Sequence, residues 1–396
     1  MTSVLHVATT HPLNQLAPAL RARFVQAQTE MIDMEFRTAG ELLRRIFDDL
    51  KLRITAPPAT MTQPVSTIAE LNYRSLVPFF AEILRANRVP DQANRAQAAN
   101  LAHRVQLLRA FKDPDGVISE TVEKVSRIVA GFPRNAEHIQ RGRNPGDVLD
   151  PYILAASQQL VYGGDLEGTF TATVAHKILM IVEGLMGHLH EDVVGAMRGN
   201  VRAPEPRGPD QETLDPLTNP FPGADIVQPP LGTTRPLRFH QVKSKTGSAK
   251  GGDGRRLGLQ LLELQRVYGG EIFYDALIGN TLRGHRSMAG VLRATPNVVV
   301  LVGESAFLAL TGSAIGPELL LRLYQAAFDV AAQQSGYRIQ DVVEVVYATF
   351  RARAAEAGES FLDSLLHDAI SGIPNEQDSR EFRNNRRSRR TKDQGD

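Results

Sequence analysis

Arg238-Phe239-His240-Gln241-Val242-Lys243-Ser244-Lys245 is the stretch on which the reading of this chain turns. In an extended strand alternate residues share a face, so Gln241 and Lys243 point one way while Val242 points into the core. A polar pair on one face near the end of an otherwise apolar strand needs a reason. Upstream, Gly223-Ala224-Asp225-Ile226-Val227 reads as a short apolar strand after a Pro-Gly turn. Two adjacent strands would set Asp225 beside Gln241 and Lys243. The plainer alternatives are an edge strand whose Lys discourages aggregation and, for Asp225, a turn or capping residue behind Pro222-Gly223.

Working outward, Gly247 to Gly254 is a glycine-rich loop, and Asp253 or Gly254 opens an amphipathic helix to about Tyr268. Leu257, Leu261, Leu264 and Val267 form its apolar face. Glu271 to Ile278 and Asn297 to Val302 read as two further strands; the second is apolar throughout, which predicts a central place in a sheet. Residues 200 to 236 are dense in Pro and Gly and read as loop, apart from the piece at Asp225. Thr171 to Met197 reads as one long helix with Val174, Ile178, Ile181, Leu185 and Leu189 as its buried stripe. The chain before it is mostly helical, with runs at Ile68 to Ala86, Asp91 to Phe111 and Ser119 to Ala130. Phe79-Phe80 falls at core spacing there. The basic turn Arg141-Gly142-Arg143-Asn144-Pro145-Gly146 marks a boundary.

Helices return from Ser305. The order predicts an α/β core joined to a helical N-terminal region. The division is a helical region over 1–150, which would supply dimer or DNA contacts, a core over 151–350, and a C-terminal helix with a basic tail over 351–396. That tail, Phe382 to Lys392, lacks apolar periodicity and is expected to be disordered.

Composition narrows the class. The 396 residues are 42% hydrophobic and 22% charged, the balance of a soluble globular protein. A formal net charge of +1 means that a nucleic-acid site must arise from local clustering. Such a cluster surrounds the quoted strand: Arg238, Lys243, Lys245, Lys250, Arg255 and Arg256, with Asp253 the lone acid among them. Interleaved glycines make it a cationic loop suited to phosphate oxygens. The absence of cysteine excludes disulfides, thiolate zinc sites, iron–sulfur clusters and cysteine nucleophiles, and it fits a reducing cytoplasm. Met1-Thr2-Ser3-Val4-Leu5-His6 shows no signal peptide, and Val298 to Val302 is far too short to cross a bilayer, so the expectation is a cytoplasmic protein away from membranes.

Several motifs stop short. Thr246 to Gly254 lacks the Gly-Lys-Ser/Thr ending of a phosphate-binding loop and the Rossmann spacing. His190-Glu191 begins like a zinc-protease helix, but Val194 stands where the second His is required. Gly303-Glu304-Ser305-Ala306-Phe307 lacks the second Gly of a nucleophile elbow. His188 and His190 do not share a helix face and read as surface or loosely packed histidines.

Asp225, Gln241 and Lys243, with the order of elements from Thr171 to Leu310, resemble the PD-(D/E)XK nuclease superfamily, which includes most type II restriction endonucleases. In that family an Asp begins one strand and a (D/E/Q)-x-K triplet lies on the next. The resemblance implies a restriction-endonuclease-like core, with a central mixed β-sheet flanked by helices. It also implies a homodimeric, Mg²⁺-dependent enzyme of restriction–modification that cuts double-stranded DNA at a specific sequence. Asp225 would be the principal metal ligand, since hard cations prefer carboxylate oxygen, and Gln241, Val242 and Glu183 would complete the metal set. Lys243 would orient or help deprotonate the attacking water.

Gln241 is neutral where many members carry an acid, so a compensating carboxylate is expected from the preceding helix. Glu183 is preferred because it interrupts the apolar Ile181-Val182-Glu183-Gly184-Leu185. Glu191 is second, its ordinary role being a solvent-facing acid at the helix end. Lys245, Lys250, Arg255 and Arg256 would contact DNA. The alternatives are a repair or modification-dependent nuclease of the same fold, and a non-cleaving DNA-binding protein with a degenerate core.

Overall fold

The computed structural model describes residues 7–129, 151–205, 213–232, 234–245, 253–279, 286–313, 316–335, 339–358 and 361–371. The chain gathers into two compact units, each discontinuous in sequence. One comprises Met1–Lys124 with Leu185–Ala331, the other Val125–Gly184 with Ala332–Asp396. The architecture is mixed α/β, mostly helical, with one five-stranded mixed sheet in the first unit.

The sheet runs β1 (Val201–Arg202), β2 (Ile226–Gln228), β3 (Arg238–Lys245), β4 (Glu271–Ile278) and β5 (Val299–Val302), in that spatial order. The β1–β2 and β2–β3 pairings are antiparallel, and β3–β4 and β4–β5 are parallel. Parallel neighbours need a crossover, and both connections contain a helix, Asp253–Tyr268 and then Arg286–Ala294. The second of these helices was not apparent from the sequence. The first buries Leu257, Leu261 and Leu264 against Phe239, Ile272 and Tyr274, which the parallel register aligns on one face of β3 and β4. Helix Pro18–Thr29 adds Leu20 and Phe24 to this core.

β5 departs from expectation. It is the last strand of the sheet rather than a central one, and Val299 is 41% exposed. None of its four residues is fully buried, Val300 packs against the main core, and its outer edge carries no partner strand among the described residues. The central strand is β3. The two-residue β1 lies in the stretch read as loop.

The N-terminal helices form a second core in the same unit, around Leu42, Leu43, Ile46, Leu76, Phe80, Leu101 and Val105. Phe79 and Phe80 pack there edge to face, 5.2 Å apart. A capping box at Thr38 and Glu41 starts helix Ala39–Asp49. The run read as one helix from Ile68 is two, Ser66–Ala69 and Tyr73–Ala86, because Asn72 accepts a hydrogen bond from the Ser75 amide and caps the second. Helix Pro114–Val129 starts earlier than periodicity suggests, behind an Asp113 side chain that accepts from the Gly116 amide.

The long helix is Leu166–Gly195, opened by Asp165, whose carboxylate accepts from the amides of Glu167 and Gly168. Leu189 is buried, as its stripe requires. In the second unit Phe170 stacks on Phe350 and meets Phe361 edge-on. The basic turn at Arg141 to Gly146 and the tail from Phe382 lie outside the described residues. Among the described residues no single helix is long and apolar enough to cross a membrane.

Candidate functional site

Asp225 immediately precedes β2, and its position is fixed from three directions. Gly223 turns the chain with φ +82°, and a Cβ there would stand 2.7 Å from Cβ of Gln260 on helix Asp253–Tyr268, so glycine is required on both counts. The Asp225 amide donates to the His240 carbonyl and its own carbonyl accepts from the Ala203 amide, each at 2.8 Å. Its side-chain Oδ2 accepts from the Val242 amide at 2.8 Å and from the Gln241 side-chain amide. The carboxylate is thus bound to the neighbouring strand and not to its own turn, which removes the capping alternative. The edge-strand alternative falls as well, because β3 has a partner on each side.

Gln241 is 3% exposed and shares a face with Asp225's partner position and with Lys243, which is half-buried. Only the NH₂ end of an amide is compatible with a carboxylate oxygen, and this network, not the identity of the atoms, assigns the orientation. The Gln241 carbonyl oxygen is therefore turned from Asp225, and a cation beside Asp225 would draw it in only after rotation of the amide. Val242 behaves differently. In a strand the N–H and C=O of one residue leave on the same edge, so the Val242 carbonyl lies on the edge where its amide meets Asp225.

Asp225 opens onto a cleft of ≈ 280 Å³ lined also by Gln241, Lys243, Glu191, Arg202 and Arg256. Burial pushes the Asp225 carboxyl up to about 7; Lys243, the Val242 amide and Arg202 pull it back, while Glu191 pushes it further up. Glu191 is therefore not the solvent-facing helix-end acid its position suggested. It faces the cleft and pairs with Arg202 at 3.3 Å. Glu183 lies in the turns of Leu166–Gly195 whose side chains are outside the described residues.

The basic cluster divides. Arg255 and Arg256 are exposed on the first turn of helix Asp253–Tyr268, at its positive end, and Arg256 reaches the cleft. Lys245 closes β3 opposite Ile278, while its side chain and the whole of Lys250 lie outside the described residues. Arg238 sits at the far end of β3, held by Glu271 at 2.8 Å and lying over Phe273. It does not join the others. Arg202 was missed in the sequence because β1 is too short to show a period.

Among the described residues no three acids or histidines converge into a ready metal cage. The carboxylate oxygens at the cleft whose chemistry suits a hard cation are those of Asp225 and of Glu191, the latter paired with Arg202.

Two histidines behave unlike surface residues. His190 is buried and hydrogen-bonds Tyr324 Oη at 2.9 Å, and burial lowers it to about 4. On the face of the sheet opposite the cleft, His240 Nδ1 bonds Asp275 Oδ2 at 2.7 Å with both side chains fully buried. Burial raises the Asp275 carboxyl and His240 opposes the shift. Phe273 stacks on the imidazole at 4.6 Å, and among the described residues neither His240 Nε2 nor Asp275 Oδ1 has a hydrogen-bond partner.

No protein-family model matches the chain, and no curated protein matches it either.

Proposed function

We propose that this protein is a Mg²⁺-dependent endonuclease with a PD-(D/E)XK-type, restriction-endonuclease-like core, hydrolysing phosphodiester bonds of double-stranded DNA. The observation that carries the proposal is the Asp225 carboxylate bonded across to β3, with Lys243 two residues beyond Gln241 on the same face of the same cleft. Asp225, the Val242 carbonyl and Glu191 would hold the ion, and Gln241 would join them after its amide turns. A bound Mg²⁺ supplies charge neutralisation at the phosphate that is being transferred. Lys243 orients the attacking water and stabilises the negative charge that develops beside it. Arg255 and Arg256, at a helix N-terminus, take backbone phosphates of the duplex. A twofold-symmetric target would be met by a homodimer.

The test is incubation of a long DNA with the purified protein and Mg²⁺. Discrete fragments that vanish in Asp225→Ala support site-specific restriction. A smear supports a nuclease without sequence preference, and cutting confined to methylated or branched DNA supports a modification-dependent or repair role. Tight binding without cutting in Mg²⁺ or Mn²⁺ would replace the enzyme by a DNA-binding protein with a degenerate core.

A further inference from the structure

We infer that Arg202 is a built-in occupant of the cation position, which a divalent ion must displace before Glu191 becomes a ligand; this rests on the metal-site reading above. Three observations support it. Gly195 is the first. A Cβ at that position would lie 2.5 Å from Cβ of Arg202 and 3.0 Å from its Cα, so the helix end is shaped to receive β1 at van der Waals contact. Glu191 and Asp192 stand four and three residues before Gly195, on the same helix face. Arg202 therefore reaches back across one turn onto both acids.

The second observation is the unequal grip of the guanidinium. Its Nη1 sits on Asp192 at 2.5 Å, whereas Nη2 is shared between Glu191 at 3.3 Å and Glu205 at 3.4 Å. Asp192 also takes Lys124 at 2.5 Å, so it is a fully paired anchor. Glu191 has the longer contact and faces the cleft. Third, the described acids form no ready cage, although Glu191, Glu205 and Asp225 all line one cleft that Arg202 also lines. A positive group already lies where the negative side chains meet.

A guanidinium held by one strong and two long contacts can keep Asp192 and give up Glu191. A small divalent ion then takes the carboxylate at closer range and with twice the charge. Arg202 thus weakens resting affinity for cations and makes Glu191 available only when one arrives. A residue that merely positioned Glu191 for the ion would act in the opposite direction.

The experiment titrates Mn²⁺ into the full-length protein, followed by calorimetry and by the paramagnetic signal of free Mn²⁺, in wild type, Arg202→Gln, Arg202→Lys and Asp225→Asn. Removing one unit charge near the site should tighten binding in Arg202→Gln by about tenfold. Arg202→Lys, whose single ammonium stays on Asp192, should tighten it by less. The Lys variant carries the test if the Gln variant does not fold. Unchanged or weaker Mn²⁺ binding in a folded Arg202 variant, beside Asp225-dependent binding in wild type, overturns the inference and spares the metal site. No binding in any protein overturns both.

Discussion

Asp225 and Asp275 flank the same strand, and the contrast between them separates an acid open to a cleft from a sealed one. Each is held by a polar side chain of β3, Gln241 for the first and His240 for the second, and those two residues are sequence neighbours on opposite faces. Burial raises both carboxyls. Their surroundings differ. Asp225 faces a cleft with Lys243, Glu191 and Arg202 at its walls, while Asp275 is fully buried against His240, on which Phe273 stacks. A buried acid with a partner is thus no signature of chemistry by itself; a second layer of charges on an open side is what distinguishes the site.

The most decisive way to break this contrast is to measure DNA cleavage in Asp225→Asn and Lys243→Ala beside Asp275→Asn. The first two should lose on the order of a thousandfold or more, as expected when a group that meets developing charge is removed. Asp275→Asn, where it folds, should retain most activity. Comparable losses in all three would erase the distinction.

Stability should run the other way. Asp275→Ala leaves His240 buried without its partner and should cost about 3–5 kcal/mol in urea unfolding. Asp225→Asn removes a poorly solvated carboxyl and should be neutral or stabilising by about 1 kcal/mol, the trade expected if the site is built for function over stability. A large loss in Asp225→Asn would make that acid structural too.

What the sequence disclosed follows the same contrast. β3, β4 and the first crossover helix were legible because their periods of two and 3.6 are long enough to read, and Asp225, Gln241 and Lys243 came with them. Alternation sent Val242 to the core but gave no hint that His240, on that same face, would need Asp275 from another strand. The pairing of Glu191 at the cleft was illegible because its partner, Arg202, arrives on a two-residue strand. Pairing between distant charges has no local pattern. The second crossover helix, Arg286–Ala294, is nine residues long, shorter than the window over which a helical period becomes legible.

Acidity sharpens the comparison further. The Asp225 carboxyl has an ordinary value of 3.8 and is raised to about 7 in the folded protein. Its proton therefore adds stability that is complete below about pH 3.8 and is lost as pH rises through about 7. A cation must displace that proton, so Mn²⁺ affinity should rise by about tenfold per pH unit below about 7 and level off above it. Calorimetry in buffers of different ionisation enthalpy would show the released proton, and an affinity flat from pH 5.5 to 7.5 would contradict the raised carboxyl.

The smallest effect concerns the third acid. Glu191→Gln should weaken Mn²⁺ binding by about tenfold, the cost of one charge near a partly solvated ion, and Glu183→Gln should leave it unchanged. The reverse result would move the ligand about two turns of helix upstream.

Helix Pro18–Thr29 places Leu20 and Phe24 in the core beneath the sheet, with Phe24 against Phe221 and Leu261 close by in the same cluster. The ribosome makes these partners about 200 to 240 residues apart. At translation speeds the first helix waits on the order of ten to fifty seconds for the surface that will cover it. During that interval its apolar side is open to chaperones and to other nascent chains. How well this protein accumulates in a cell then depends on the pace of its synthesis as well as on the stability of the finished fold.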